Sequence, residues 1–264
     1  MHMISHTFLE AYKKCQKMAW LQYIKKVIPN EKIDKRNFLV GIVADWLFKK
    51  WATDMEFQPG WMETKSSIMY DWFESKNFVR YKGWEDRPLM KRKLQESTQK
   101  LEECVFELKF DEKRMDLQRS FKYSEDGVDF YGKMDIWFPD EKQVVDLKIT
   151  KYKKWLKPEQ LQFYTWIMRK NNLEVNSAHF LSPLMPIFYI EEDISLSAVE
   201  LFEEDMWKTI ELIRNENWEE TAKDCWGCPV EQFCTIPEED FIVDSKPNKI
   251  GGFSIDLGNL KEEK

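Results

Sequence analysis

Apolar residues recur near helical spacing through residues 5–28, where Phe8, Leu9, Tyr12, Cys15, Ala19 and Tyr23 mark one helix. Residues 36–51, RNFLVGIVADWLFKKW, are apolar on more than one side and predict a largely buried helix. The stretch 53–84, rich in Trp, Met and Phe, predicts another. A charged helix is expected from about Pro88, turning into a strand near Val105–Phe110 with Glu107 on it. The period then changes. DFYGKMDIWFPDEKQVVDLKIT, beginning at Asp129, reads as a strand, a Pro- and Asp-containing turn at 139–142, and a second strand. A helix follows from Pro158, since proline suits a first helical turn. One or two strands are expected within 176–193 and a helix over 195–216. Helices, then strands, then helix, then strand predict an α/β fold with a mixed sheet flanked by helices. No internal repeat or low-complexity linker divides the chain, so 1–242 is expected to form one domain with its core at about 100–190, and 243–264 a loose polar tail.

Composition narrows the function. The 264 residues are 43% hydrophobic, enough for a sizeable core, and 33% charged. The net charge of −7 counts against a protein that coats nucleic acid without selectivity, but leaves room for a local basic groove. Aromatic residues make up 15%, with 12 Trp, and serve cores and base stacking alike. No apolar run is long enough for a membrane span and the N-terminus lacks a basic-then-apolar leader pattern, so a cytoplasmic location is expected. Three of the five cysteines crowd into 225–234. In a reducing compartment that pattern favours a metal or cluster over disulfides.

The strand pair carries the candidate chemistry. A period of two puts Asp146 and Lys148 on one face, and a hairpin brings Asp135 alongside Asp146. Two carboxylates and an ammonium suit phosphodiester hydrolysis, in which Mg2+ or Mn2+ held by carboxylates supplies a nucleophile and neutralises charge. Taken alone, a D-x-K triplet is a weak signal, because charged residues are common and a strand pair that simply carries surface charges would show it.

The surrounding residues add specificity. YGKMDIW, VVDLKIT and KPEQLQFYTW resemble the core of the PD-(D/E)XK nuclease superfamily in its RecB-like branch, which shows a G-x-x-D strand, a D-x-K strand and a helix bearing Q-x-x-x-Y. Here these are Gly132 to Asp135, Asp146 to Lys148, and Gln160 to Tyr164, and the resemblance covers roughly 5–50 and 100–235. It implies a restriction-endonuclease-like core with helical additions. It also implies Asp135 and Asp146 as metal ligands, Lys148 as the catalytic lysine, a further metal contact from the Leu147 carbonyl, and Gln160 and Tyr164 on a helix face bordering the site. RecB-like relatives carry an upstream G-x-x-x-H whose His binds metal. This chain has Gly41 and then Asp45, which reads as a hard-oxygen ligand or as a helix-surface Asp paired with Lys49. The histidines His2, His6 and His179 fit no metal spacing.

Cys225, Cys228 and Cys234 form C-x2-C-x5-C, one thiolate short of a four-cysteine site, with Cys15 as the candidate fourth. Residue chemistry by itself favours structural Zn2+. The arrangement also resembles the iron–sulfur subgroup of RecB-like nucleases, which includes CRISPR-associated exonucleases, and so implies a 4Fe-4S cluster stapling the chain ends. Cys104 is left over as a buried apolar residue.

After the second strand, Lys151, Lys153, Lys154 and Lys157 alternate with Tyr152 and Trp155. Lysines neutralise phosphates and aromatics stack on unpaired bases, so Lys151, Lys153, Lys154 and Trp155 are candidate DNA contacts; a solvated loop is the plain alternative. The resemblance thus implies a metal-dependent deoxyribonuclease, an exonuclease on single-stranded DNA or DNA ends, in DNA processing or recombination, with a phage or mobile-element setting and a processing partner protein as analogies. The alternatives are a non-catalytic DNA-binding or assembly protein that keeps the fold, and an RNA-directed nuclease.

Overall fold

A computed structural model of the chain describes residues 3–27, 36–54, 57–77 and 87–218, together with residues 225, 228, 230, 233 and 234. The tail expected at 243–264 lies outside the described residues. The chain groups into two compact units, one built from Met3–His6 and Glu31–Lys208, the other from Thr7–Asn30 and Thr209–Lys264.

The first unit starts with three helices, α3 (Arg36–Asp54), α4 (Trp61–Asn77) and α5 (Arg87–Glu107), which pack on one another. Along α3 the buried positions Leu39, Val40, Val43, Ala44, Leu47, Phe48, Trp51 and Ala52 form a wide stripe, as expected from its near-continuous apolar run. Glu102 of α5 accepts hydrogen bonds from Gly60 N at 2.8 Å and Met62 N at 3.0 Å, so a carboxylate covers amide groups left open at the start of α4.

The strand expected near Val105–Phe110 is instead the end of α5. Lys109 takes a left-handed conformation, and Phe110 N bonds back to Val105 O, so the apolar run closes a helix rather than extending. Phe110 then packs edge-on against Phe138, with ring centroids 4.9 Å apart.

The main sheet has the order β1-β4-β5-β6-β7, formed by β1 (Asp116–Leu117), β4 (Ile136–Phe138), β5 (Gln143–Leu147), β6 (Ser177–Leu181) and β7 (Tyr189–Glu191). β5 and β6 run parallel and the other pairs antiparallel, so the sheet is mixed, as expected. A second sheet is the hairpin of β2 (Ser120–Glu125) and β3 (Val128–Lys133), closed by Asp126 and Gly127, both with positive φ. Ile4 adds an isolated parallel bridge to this hairpin at Phe130. The single strand expected before the 139–142 turn is therefore two, β3 and β4, broken at Met134–Asp135 where the chain passes from one sheet to the other.

Helix α6 (Pro158–Lys170) connects β5 to β6 and packs on both sheets. Gly132 sets how closely it lies on β3. A Cβ there would stand 3.3 Å from Ile167, 3.4 Å from Phe163 and 3.5 Å from Tyr164. Trp166 fills the same layer, its ring 4.8 Å from that of Phe130. Helix α7 (Leu196–Arg214) follows β7 and has residues in both units.

In the second unit, the helix expected over 5–28 is divided into α1 (His6–Lys14), α2 (Gln16–Ala19) and a π-helical turn, Trp20–Ile24. The break falls at Cys15, whose backbone is extended and whose Sγ accepts from Met18 N at 3.4 Å, starting α2.

Candidate active site

The site lies on the α6-facing side of β5. All of Val144, Val145, Asp146 and Leu147 are buried, so this strand is covered on both faces, and Asp146 is 2% exposed. β4 pairs Ile136 with Val145, which brings Asp135, at the strand break, level with Asp146. The alignment expected of the hairpin is thus present, although Asp135 sits at a junction between sheets rather than within a strand.

Each carboxylate is held by named donors. Gln160 Nε2 donates to Asp146 Oδ1 and to the Tyr164 hydroxyl, both at 2.9 Å. The four-residue spacing read from sequence thus makes one connected group, because residues i and i+4 share a helix face. Lys148 Nζ is 2.7 Å from Asp146 Oδ2, an ion pair without good hydrogen-bond alignment. Leu147 N donates to Asp135 Oδ2 at 3.0 Å, and Gln118 Nε2 donates to Asp135 Oδ1 at 2.9 Å.

Asp45 reaches the group from α3, one turn before Lys49, with which its Oδ2 pairs. Asp45 thus has the helix-surface lysine expected of it, and it also acts electrostatically on Asp146. Its other oxygen, Oδ1, is buried with no hydrogen-bond partner among the described residues. Gly41 has open space where a Cβ would stand, so close packing does not explain it.

Ionisation reflects this crowding. Burial pushes Asp146 from 3.8 up to about 7; Lys148 opposes the shift, and Asp135 and Asp45 add to it. Burial and then Asp135 push Asp45 up to about 6, against the pull of Lys49 and Lys133. Tyr164 rises well above the ordinary phenol, through burial first and then the charges of Asp146 and Asp135. Burial and Lys49 lower the Lys133 ammonium, while Asp45 and Asp135 support it.

Two members of the site were not foreseen. Lys133 ends β3 and Asp135 lies beyond the break that follows, so strand alternation gives no signal for it. Gln118 had none, because its contact depends on a backbone turn seventeen residues away in sequence from its partner.

Three mutually repelling carboxylates with a buried spare lone pair have the donor chemistry of a hard divalent cation site. Yet among the described residues no group of three or more His, Cys, Asp or Glu side chains is arranged to hold a metal ion. The trio fits by chemistry and mutual charge, and its side chains are turned to Gln160, Lys148, Gln118 and Lys49.

The four cysteines expected to form one site belong to the second unit. None of Cys15, Cys225, Cys228 and Cys234 forms a disulfide. Burial raises Cys228, with Cys15 and Cys225 contributing, and burial raises Cys234, with Cys228, Cys15 and Cys225 contributing. Cys104 is buried on α5, as expected.

The strip after β5 is solvent-facing. Lys153, Lys154 and Trp155 form a single 3-10 turn, with Tyr152 62% and Trp155 58% exposed. Lys154 Nζ lies 5.3 Å from the Trp155 ring centre and 5.8 Å from that of Tyr152. Lys151 is 3.8 Å from Glu96.

The sequence profile of the PD-(D/E)XK nuclease superfamily matches residues 3–235. Proteins of that superfamily generally use divalent metal ions such as Mg2+ or Mn2+. Among curated proteins none matches the sequence significantly. The crystal structure of a candidate exonuclease from Eubacterium rectale matches with a TM-score of 0.58 and 14% identity, over 89% of this chain and 90% of its own. That likeness concerns the fold. The structure of SSO0001 shares 16% identity over 62% of this chain and 79% of its own, with a TM-score of 0.31, too low to bear on the fold. No helix among the described residues is long and apolar enough to cross a membrane.

The ionisation of Asp146 sets a pH dependence. Its unfolded carboxyl ionises near 3.8 and its folded one near 7, so between these values the native state holds the extra proton. Stability therefore falls as pH rises through that window. Thermal melts with a chelator present should show the wild type losing stability relative to Asp146→Asn from about pH 4 to pH 7. Parallel curves for the two proteins would contradict the buried, charge-crowded carboxylate.

Proposed function

Because the chain belongs to the PD-(D/E)XK nuclease superfamily, we propose that it is a metal-dependent deoxyribonuclease of the RecB-like branch, an exonuclease acting on single strands or DNA ends. The observation that carries this reading is the convergence of Asp135, Asp146 and Lys148 beneath the Gln160–Tyr164 face of α6. A protein that kept the fold only to bind DNA would gain nothing from burying such a carboxylate beside a lysine.

Asp45, Asp135, Asp146 and the Leu147 carbonyl are the groups that would hold Mg2+ or Mn2+, which supplies Lewis-acid polarisation of the phosphate and an acidified water. In an extended residue the N–H and C=O point to the same strand edge. The Leu147 N–H bond to Asp135 therefore turns the Leu147 carbonyl to that edge too. Gln160 keeps Asp146 oriented, and its second amide hydrogen ties the carboxylate to Tyr164. Lys148 is the residue that orients the attacking water and offsets charge on the phosphate. Its side chain is 28% exposed, so it meets solvent and substrate without leaving Asp146. Lys151, Lys153, Lys154 and Trp155 follow the same strand and form the proposed track for the DNA backbone and unpaired bases.

Cys15, Cys225, Cys228 and Cys234 are proposed to hold a 4Fe-4S cluster, a reading supported by the charge that Cys15 and Cys225 exert on Cys228 and Cys234. Structural Zn2+ is the competing occupant of the same thiolates.

Three measurements test these statements. End-labelled single-stranded DNA, duplex DNA and RNA should be incubated with Mg2+, Mn2+ or a chelator. DNA should shorten from its ends only with metal, and Asp146→Ala and Lys148→Ala should each slow cleavage by at least about a hundredfold. Activity surviving both changes refutes the site, and RNA cleaved in preference to DNA refutes the substrate. For the track, Lys153→Glu with Lys154→Glu should weaken single-strand binding and reduce the slope of log affinity against log salt by roughly 2; an unchanged slope removes the strip from the binding surface. Protein purified without oxygen should carry iron and sulfide and absorb in the visible blue. A colourless, zinc-loaded protein would exclude the cluster.

A further inference from the structure

The two strands that lead into the site cross from one sheet to the other in step. The β1–β4 ladder ends at Leu117 opposite Ile136, and the β2–β3 ladder begins at Ser120 opposite Lys133. Between them, Gln118 N donates to Asp135 O at 2.9 Å and Met134 N donates to Arg119 O at 3.0 Å. At this crossing Gln118 has φ 56, a left-handed conformation that glycine adopts freely and glutamine does not. That backbone turn aims the side chain at the carboxylate across the ladder, where Nε2 meets Asp135 Oδ1 at 2.9 Å. Leu147 N takes the other oxygen at 3.0 Å.

We infer that Gln118 is a positioning residue for the metal site: its amide, together with the Leu147 N–H, fixes the rotation of the Asp135 carboxylate so that the remaining lone pairs face a divalent cation. The inference rests on reading Asp135 as a metal ligand. Each carboxylate oxygen has two lone pairs, so one hydrogen bond to each oxygen leaves one on each in a fixed direction. A neutral amide suits this task. It orders the carboxylate without cancelling the charge that attracts the cation, whereas a lysine or arginine would compete with it. The strained backbone at a glutamine is what a position chosen for its side chain would show, because glycine would serve the turn alone with less cost. Gln118 thus acts on the cation through Asp135, as residues behind metal ligands do.

Mn2+ titrations of the full chain, followed by calorimetry and by the electron paramagnetic resonance signal of free Mn2+, separate this role from a scaffold role. The variants are Gln118→Gly, which relieves the left-handed backbone, and Gln118→Asn, which tolerates it but is one methylene too short. Asp135→Ala is the control. Both Gln118 variants should lose Mn2+ affinity by about tenfold or more, while Gln118→Gly melts at or above the wild-type temperature. Raising Mn2+ should restore cleavage in the Gln118 variants and not in Asp146→Ala. If Asp135→Ala loses Mn2+ while both Gln118 variants bind within about twofold of wild type, the positioning role is overturned and the metal site stands. If Asp135→Ala binds as wild type does, the metal-site reading itself fails. Loss of the fold, or a fall in melting temperature matching the loss of affinity, in both Gln118 variants would mark a scaffold residue and overturn the inference.

Discussion

A carboxylate buried on a strand that is covered on both faces is costly unless its charge is met. Asp146 occupies such a position, and the surrounding structure is arranged to meet its charge. Helix α6 must lie close enough for Gln160 to reach Oδ1, and Gly132 leaves the room for that approach. Lys148, two residues on and on the same face, answers Oδ2. Compensation is incomplete, since burial above all, with Asp135 and Asp45 adding to it, raises the Asp146 pKa to about 7 against the pull of Lys148. Three carboxylates crowded in a covered position, with Asp45 Oδ1 and Asp146 Oδ2 lacking a hydrogen-bond partner among the described residues, favour a cation, and this links the packing of the sheet to the proposed chemistry.

The charges come from segments far apart in the chain. Asp45 and Lys49 arrive on a buried helix, Asp135 and Lys133 at the crossing of two sheets, and Asp146 and Lys148 on the central strand. Lysines and aspartates thus alternate through one neighbourhood of a protein whose net charge is −7. Basic residues outside this balanced cluster gather in the exposed Lys151–Trp155 strip, so a negative net charge leaves room for a local basic surface.

Much of the site was legible because its periods are short. The two-residue period placed Asp146 with Lys148, and the four-residue period placed Gln160 with Tyr164; both pairs depend on local geometry that a strand or helix imposes whatever surrounds it. The hairpin register was legible through the turn at 139–142. Errors arose where local signals compete. The apolar run through Val105–Phe110 suits a strand or a helix end, and a left-handed Lys109 resolved it as a helix end. The 5–28 periodicity continues across Cys15, yet an extended backbone there divides the helix.

The amino-acid sequence by itself determined the class of fold, the central strand with its Asp and Lys, and the helix face above them, because hydrophobic period and spacing specify these through neighbouring residues. Tertiary structure alone decided the break at Asp135, the approach of Asp45, and the entry of Lys133 and Gln118 into the site. Those contacts join residues with no shared period, and their formation depends on how two sheets and a helix stack around a buried charge.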